Sequence, residues 1–315
     1  MSANAEPQTA ASVLLVRPAS FGANPLTAAS NSFQAQGIAA LEARERAQAA
    51  SEFSLLGAAL ADSGVEVCLA DDTPDPVKPD AVFPNNWVSF HADGTVVLYP
   101  MLASNRRTER RMDILEALAQ RHRFRIARTV DLSAHERDGV FLEGTGSLVL
   151  DRVHRNAFAC LSPRTHVEAL GDFAQQLDYE IVAFGASDAA GAPIYHTNVV
   201  MCVGTRFAVI CAEAIDDAAR RAAVLRILED TGHEIVTISR AQMGAFAGNL
   251  LELRSSTGRP LIVMSQAASD SLEAHQAQRL AVHGQIIRVA IPTIERYGGG
   301  SVRCMIAEVH LPKRA

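Results

Sequence analysis

An α/β ring built from repeated strand–strand–helix–strand units is the fold class this chain predicts, on three observations. Two strand-type segments joined by a turn and followed by a helix-type segment recur at roughly 50–60 residues, the upper end of repeat periods. The helix-type segments hold few β-branched residues and the strand-type segments hold many. One unmatched strand stands at each end of the chain. No unit can bury its own sheet face and helix, so units pack on one another. Pairing of the two end strands would close the ring and leave no open sheet edge. An open α/β sheet with hairpin insertions is the alternative, and the repeat count favours the ring.

The elements follow in order. Residues 13–16 form a short apolar strand halted at Arg17-Pro18. Residues 33–63 carry Ala, Glu, Arg and Gln at helical apolar spacing and stop at Gly64. Residues 65–69 are a strand, and 71–79, with its prolines, a loop. Strands 83–90 and 95–99 flank Asp93-Gly94, a strong hairpin signal, and a helix follows over 108–122. Strands 146–150 and 157–160 precede a helix over 165–177. Strands 199–203 and 207–211, with a turn at Gly204-Thr205, precede a helix over 218–231. Strands 250–253 and 260–264, with a turn at Thr257-Gly258, precede a helix over 270–283. A last strand covers 304–309. Residues 1–12 read as a disordered tail and 13–315 as one domain. Residues 131–140 read as a surface loop, with a lid over the axis as the alternative.

The 315 residues are 48% hydrophobic and 20% charged, ordinary for a globular protein with a large core. A net charge of -6 argues against nucleic-acid binding. The basic run Arg106-Arg107 to Arg110-Arg111 contains Glu109 and reads as a solvated helix face. Cys68, Cys160, Cys202, Cys211 and Cys304 are odd in number and form no C-x-x-C pair, which fits free thiols in a reducing cytoplasm. The first residues lack a signal-peptide pattern and no run is long enough to span a membrane.

Four segments place reactive or polar residues where a unit's first strand begins: Phe83-Pro84-Asn85-Asn86-Trp87, Leu142-Glu143-Gly144-Thr145-Gly146-Ser147, Tyr195-His196-Thr197-Asn198-Val199 and Gly298-Gly299-Gly300-Ser301-Val302-Arg303-Cys304. In a ring these starts converge near the axis. The chemistry they suggest is nucleophilic: Cys304 attacks, His196 serves as acid and base, and Glu143 orients the imidazole or grips an N–H-rich substrate. Amides of the Gly298, Gly299 and Gly300 turn, or the Asn86 and Asn198 side chains, would hold an oxyanion. Taken singly, each residue has a bland reading as a turn, cap or core residue. Their shared position in the repeat is what raises the set. No metal-binding pattern, Walker loop or G-x-S-x-G elbow occurs.

The repeat and these motifs resemble the pentein superfamily of guanidino-group modifying enzymes, which includes arginine deiminase, dimethylarginine dimethylaminohydrolase and the amidinotransferases. The resemblance implies a five-bladed α/β propeller with its active site on the axis. It carries the nucleophile onto Cys304, the acid/base onto His196 and the carboxylate onto Glu143. It puts guanidinium-type binding on Phe83, Asn85 and Asn86. It implies no metal and no cofactor. Arginine deiminases carry Asp where this chain has Asn86 and Asn198, and Asp where it has Gly146. A guanidinium has five donors and no acceptor, so carboxylates suit it, whereas an amide also suits a neutral ureido group.

With Val16 to Gly22 and Ala245-Phe246-Ala247-Gly248-Asn249, the chain most resembles the citrulline-utilisation, amidinotransferase-like branch. That implies hydrolysis of citrulline to ornithine, carbon dioxide and ammonia. Arg17, Arg254, Arg296 and Arg303 are candidates by type for the substrate carboxylate, with Arg303 placed in the binding set. The expected partner is a small amino-acid substrate, with a homo-oligomer left open. A deiminase or dimethylaminohydrolase is the runner-up and an amidinotransferase a weaker third. A non-catalytic propeller like that of a ribosome anti-association factor is the reading from another class.

Overall fold

Five three-stranded sheets, each with one antiparallel and one parallel pairing, make up the computed structural model, which describes residues 6–37 and 41–314. Blade 1 joins the chain ends: Ala307–Glu308 lies antiparallel to Ser12–Arg17, with Val13 opposite Glu308, and Ser12–Arg17 lies parallel to Glu66–Asp71. The ring closes as the unmatched end strands predict. Blade 2 is Val88–Phe90, Thr95–Leu98 and Arg128–Asp131. Blade 3 is Leu148–Asp151, Asn156–Cys160 and Glu180–Phe184. Blade 4 is Met201–Val203, Phe207–Ile210 and Glu234–Thr237. Blade 5 is Leu251–Arg254, Pro260–Ser265 and Gln285–Val289. In blades 2 to 5 the hairpin pair is antiparallel and the third strand returns parallel, and blade 1 has the same pairings with the two chain ends in place of the hairpin. A parallel return needs a crossover, supplied in blades 2 to 5 by Met112–Gln120, Val167–Leu177, Ala218–Asp230 and Ala274–His283. The strands are buried on their packed faces, and the result is a five-bladed α/β propeller.

The inner strands start later than the sequence suggests, because a short helical turn precedes most of them: Pro84–Asn86, Gly144–Ser147, Thr197–Val200 and, in blade 1, Val302–Met305. Each turn brings its side chains to the axis. Their tight packing shows at Gly144, which has φ +48° and where a Cβ would lie 2.2 Å from the Asn85 carbonyl oxygen.

Three expectations are corrected. The helix read over 33–63 is Ala43–Asp62, started by a reciprocal Glu42–Glu45 capping box. Phe33 instead packs its ring on Tyr195 and Phe246, and residues 38–40 lie outside the described residues. The helix read over 270–283 is two, Gln266–Ser271 and Ala274–His283, because Glu273 and Gln276 cap a new start. The tail read over 1–12 is a buried strap from Glu6 onward, while residues 1–5 lie outside the described residues. Glu6 pairs with Arg152 at 2.7 Å and Arg155 at 3.2 Å and accepts from the Ala92 N–H. Gln8 donates to the Leu150 and Val203 carbonyls, and Ala10 accepts from the Arg254 N–H. The strap thus ties blades 2 to 5 together. Its polar side chains read as solvated because their partners are distant in sequence. Among the described residues no helix is long and apolar enough to cross a membrane.

Candidate active site

Cys304, His196, Glu143, Asn86 and Asn198 meet at one end of the propeller axis, on the helical turns that precede the inner strands. Cys304 is buried, and its sulfur lies 3.4 Å from Asn198 Nδ2 and 3.3 Å from Asn249 Nδ2. His196 Nε2 lies 2.9 Å from Glu143 Oε2. With that N–H held by the carboxylate, Nδ1 is the nitrogen left to move a proton. Burial draws the His196 imidazole down to about 4, against the raising pull of Glu143. The ring is therefore a neutral base at neutral pH.

Burial pushes the Glu143 carboxyl up, but the Arg164 guanidinium, the His196 hydrogen bond and Arg106 together hold it well below the usual carboxylate range. Its oxygens are fully engaged: Oε1 accepts from the Leu102 N–H at 3.1 Å, and Oε2 faces Arg164 at 3.3 Å and Arg106 at 3.9 Å. Glu143 is committed to orienting the imidazole and neutralising two arginines.

Arg106, Arg164 and Asp80 are the residues that sequence reasoning missed. Arg106 is buried rather than on a solvated face. Its guanidinium grips Glu109 bidentately at 3.0 and 2.9 Å and donates to Asn86 Oδ1 at 2.9 Å. The spacing of Arg106 and Glu109 on a helical turn was the available signal, since three residues apart they share a face. Arg164 donates to Ser30 Oγ at 2.8 Å and lies over the Tyr195 ring. Asp80 Oδ2 accepts from Asn24 at 2.7 Å, while Oδ1 is buried without a partner. Asp80, Arg106 and Arg164 line the same cleft as His196 and Cys304.

The remaining sequence candidates divide. Phe83 lines the cleft against Gly298 and Gly300. Asn85 is buried behind it and accepts from Asn86 Nδ2 at 3.1 Å. Gly299 has φ +62° and ends the helix Pro292–Gly298; its N–H is taken by the Glu295 carbonyl at 2.9 Å. That amide is not free for an oxyanion, and the residue presents its carbonyl instead, accepting from the Tyr195 hydroxyl at 2.5 Å. Arg303 points away from the cleft and pairs with Glu308 at 3.0 Å, lining a separate cavity with Gln8 and Arg152. Arg17 pairs with Asp71 on the surface, Arg254 reaches the strap at Thr9, and Arg296 is exposed over the Tyr297 ring. None of these four arginines lines the cleft. The segment over the cleft is Asn24 to Gln34, through Asn24, Thr27, Ser30 and Asn31. Residues 131–140 are a surface loop whose Glu136 pairs with Arg110.

The sequence profile described as N,N dimethylarginine dimethylhydrolase, eukaryotic, matches residues 17–311. The chain belongs to this family. That places it in the pentein superfamily, and the family's description is that of a hydrolase acting on a guanidino C–N bond. No curated protein matches it. Among solved structures, apo ArgZ, an arginine dihydrolase from the ornithine–ammonia cycle in cyanobacteria, is 18% identical with a TM-score of 0.73, covering 96% of this chain and 41% of that one. The chain thus spans about two fifths of ArgZ. The substrate-bound N-terminal domain of ArgZ is 17% identical with a TM-score of 0.72, covering 95% of this chain and 99% of that one. A dimethylarginine dimethylaminohydrolase adduct with S-methyl-L-thiocitrulline is 15% identical with a TM-score of 0.64, covering 94% and 98%. At these identities the likeness is one of fold.

Proposed function

We propose that this protein hydrolyses citrulline to ornithine, carbon dioxide and ammonia, with Cys304 as nucleophile. The observation that carries the reading is that amides, Asn86 and Asn198, stand where the arginine deiminases use carboxylates. A guanidinium offers only donors. A ureido group offers a carbonyl oxygen as well, and an amide can meet both. Asn198 Oδ1 is buried without a partner beside the sulfur, an acceptor for a ureido N–H. Arg106 is taken up by Glu109 and Asn86, so Arg164 is the cleft cation proposed for an α-carboxylate, and the unpartnered Asp80 Oδ1 supplies an acceptor for an α-ammonium.

Cys304 attacks the ureido carbon as a thiolate, and His196 takes up a proton from water as the substrate binds. His196 then protonates the δ-nitrogen, the C–N bond breaks and ornithine leaves. A carbamoyl thioester remains. Water deprotonated by His196 attacks it, the C–S bond breaks, and the released carbamate decomposes to ammonia and carbon dioxide. Glu143 keeps the imidazole oriented throughout and favours its protonated form.

A second reading, a guanidino substrate such as arginine or a methylated arginine, is favoured by the family match and by the free carboxylate oxygen of Asp80. Replacing Cys304→Ser tests the nucleophile: ornithine release is lost while the melting temperature stays within a few degrees. Release near the wild-type rate overturns the assignment.

A further inference from the structure

In four blades the residue group before the inner strand was legible as chemistry. The fifth blade has an equivalent, Asn249, just before Leu251–Arg254. It is fully buried, and its side chain makes a contact at each polar atom. Oδ1 accepts from the Arg303 N–H at 3.1 Å, and Nδ2 donates to the Asn198 carbonyl at 2.8 Å and to Cys304 Sγ at 3.3 Å. The amide orientation is fixed by its partners. The Arg303 N–H can only donate and the Asn198 carbonyl can only accept, so the NH₂ must face the sulfur. One of its two hydrogens goes to the carbonyl and the other is aimed at Sγ. A second amide, Asn198 Nδ2, approaches the same sulfur at 3.4 Å. A neutral thiol sulfur accepts only weakly, whereas hydrogen bonds to an ionised acceptor are about twice as strong, so two donors converging on one sulfur favour its anionic form.

We infer that Asn249 is a catalytic residue whose side-chain amide, with that of Asn198, holds Cys304 as a thiolate aimed at the reacting carbon. This rests on Cys304 being the nucleophile and not on citrulline being the substrate. The imidazole does not share the task, because His196 Nε2 is bonded to Glu143 and the ring is neutral at neutral pH. Two neutral donors from blades 4 and 5 therefore take the place of an imidazolium partner. The anchor is covalently close: Arg303, whose N–H orients Asn249, directly precedes Cys304. The charged and titratable groups that share the cleft with the sulfur are Asp80, Arg106, Arg164, Tyr195 and His196, with Glu143 behind the imidazole.

The test is the rate of Cys304 alkylation by iodoacetamide from about pH 6 to about pH 10, read by peptide mass spectrometry, in the wild type and in Asn249→Asp and Asn249→Ser. The other thiols are quiet in this window, since burial pushes Cys68, Cys160 and Cys202 up to about 12 and Cys211 up to about 11. Asn249→Asp keeps the acceptor for the Arg303 N–H and replaces the donor with an oxygen. Asn249→Ser serves if that variant does not fold. The expected result is a rate about tenfold to a hundredfold lower at neutral pH, the range for one hydrogen bond to an ionised group. The profile should move to higher pH and converge on the wild-type rate at its alkaline end. An unchanged profile overturns the inference. So does a rate lowered equally at every pH, which is the signature of a purely structural role. Alkylation needs no substrate, so failure to turn over citrulline leaves this result standing.

Discussion

Gly146 is the glycine that packs directly against the His196 imidazole. A Cβ at this position would lie 2.6 Å from His196 Nδ1, 2.7 Å from His196 Cε1 and 2.5 Å from Asn86 Nδ2. Neither neighbour is free to give way. His196 is held by Glu143 at 2.9 Å, and Asn86 is held by Arg106 at 2.9 Å and Asn85 at 3.1 Å. Restoring an ordinary 3.4 Å contact in Gly146→Ala needs a shift of about 0.8 Å in the ring. Over-packing of this kind costs about 1–3 kcal/mol of stability. The catalytic cost is larger, because a misplacement of about 1 Å in a reacting group costs about a hundredfold. Measuring kcat/KM for ornithine release beside urea unfolding separates the two. The expected variant is folded, slightly less stable and slower by about fifty- to a hundredfold. A variant within threefold of wild type in kcat/KM, with unchanged stability, would refute the claim that the His196 ring is fixed against this glycine.

Two further predictions concern charge. His196 titrates near 4 rather than at its ordinary 6.5, so it stays a competent base as pH falls through that window. The acid limb of kcat/KM should therefore lie near 4, and a half-loss near 6.5 would contradict the buried, neutral ring. The same shift has a sign for stability. Between 6.5 and 4 the unfolded chain binds a proton that the folded chain does not, so this residue makes stability fall as pH drops there. Replacing Glu6→Ala leaves the buried Arg152 without its 2.7 Å partner and should cost about 3–5 kcal/mol. A urea midpoint equal to that of the wild type would show that the strap is not held by this pair.

Ring closure was legible because an unmatched strand at each end has one economical partner, and Val13 does face Glu308 across the first blade. The nucleophile, the imidazole and its carboxylate were legible because they occupy the same phase of the repeat. Asn249 occupies that phase too, yet it sits between apolar and small residues and carries no reactive group to mark it. Arg106 and Arg164 were hidden for another reason. A charged residue reads as solvated unless its counter-charges are known; that of Arg106 is Glu109, three residues on in the same helical turn, and that of Arg164 is Glu143, far earlier in the chain but in the same blade. The strap from Glu6 was misread in the same way. Helical turns such as Thr197–Val200 were absorbed into predicted strands because their β-branched residues favour a strand until close packing at the axis imposes a turn. Gly146, a departure from the deiminase Asp, has a physical reason in the structure, since the Asn86 amide and the His196 ring fill the space a side chain would need.

The most direct test of substrate choice is product analysis after separate incubation with citrulline and with arginine, following ornithine, citrulline and ammonia. Ornithine and ammonia from citrulline, with no citrulline formed from arginine, is the predicted result. Conversion of arginine to citrulline, with citrulline itself left intact, would contradict it and make Asn86 and Asn198 part of a guanidinium site.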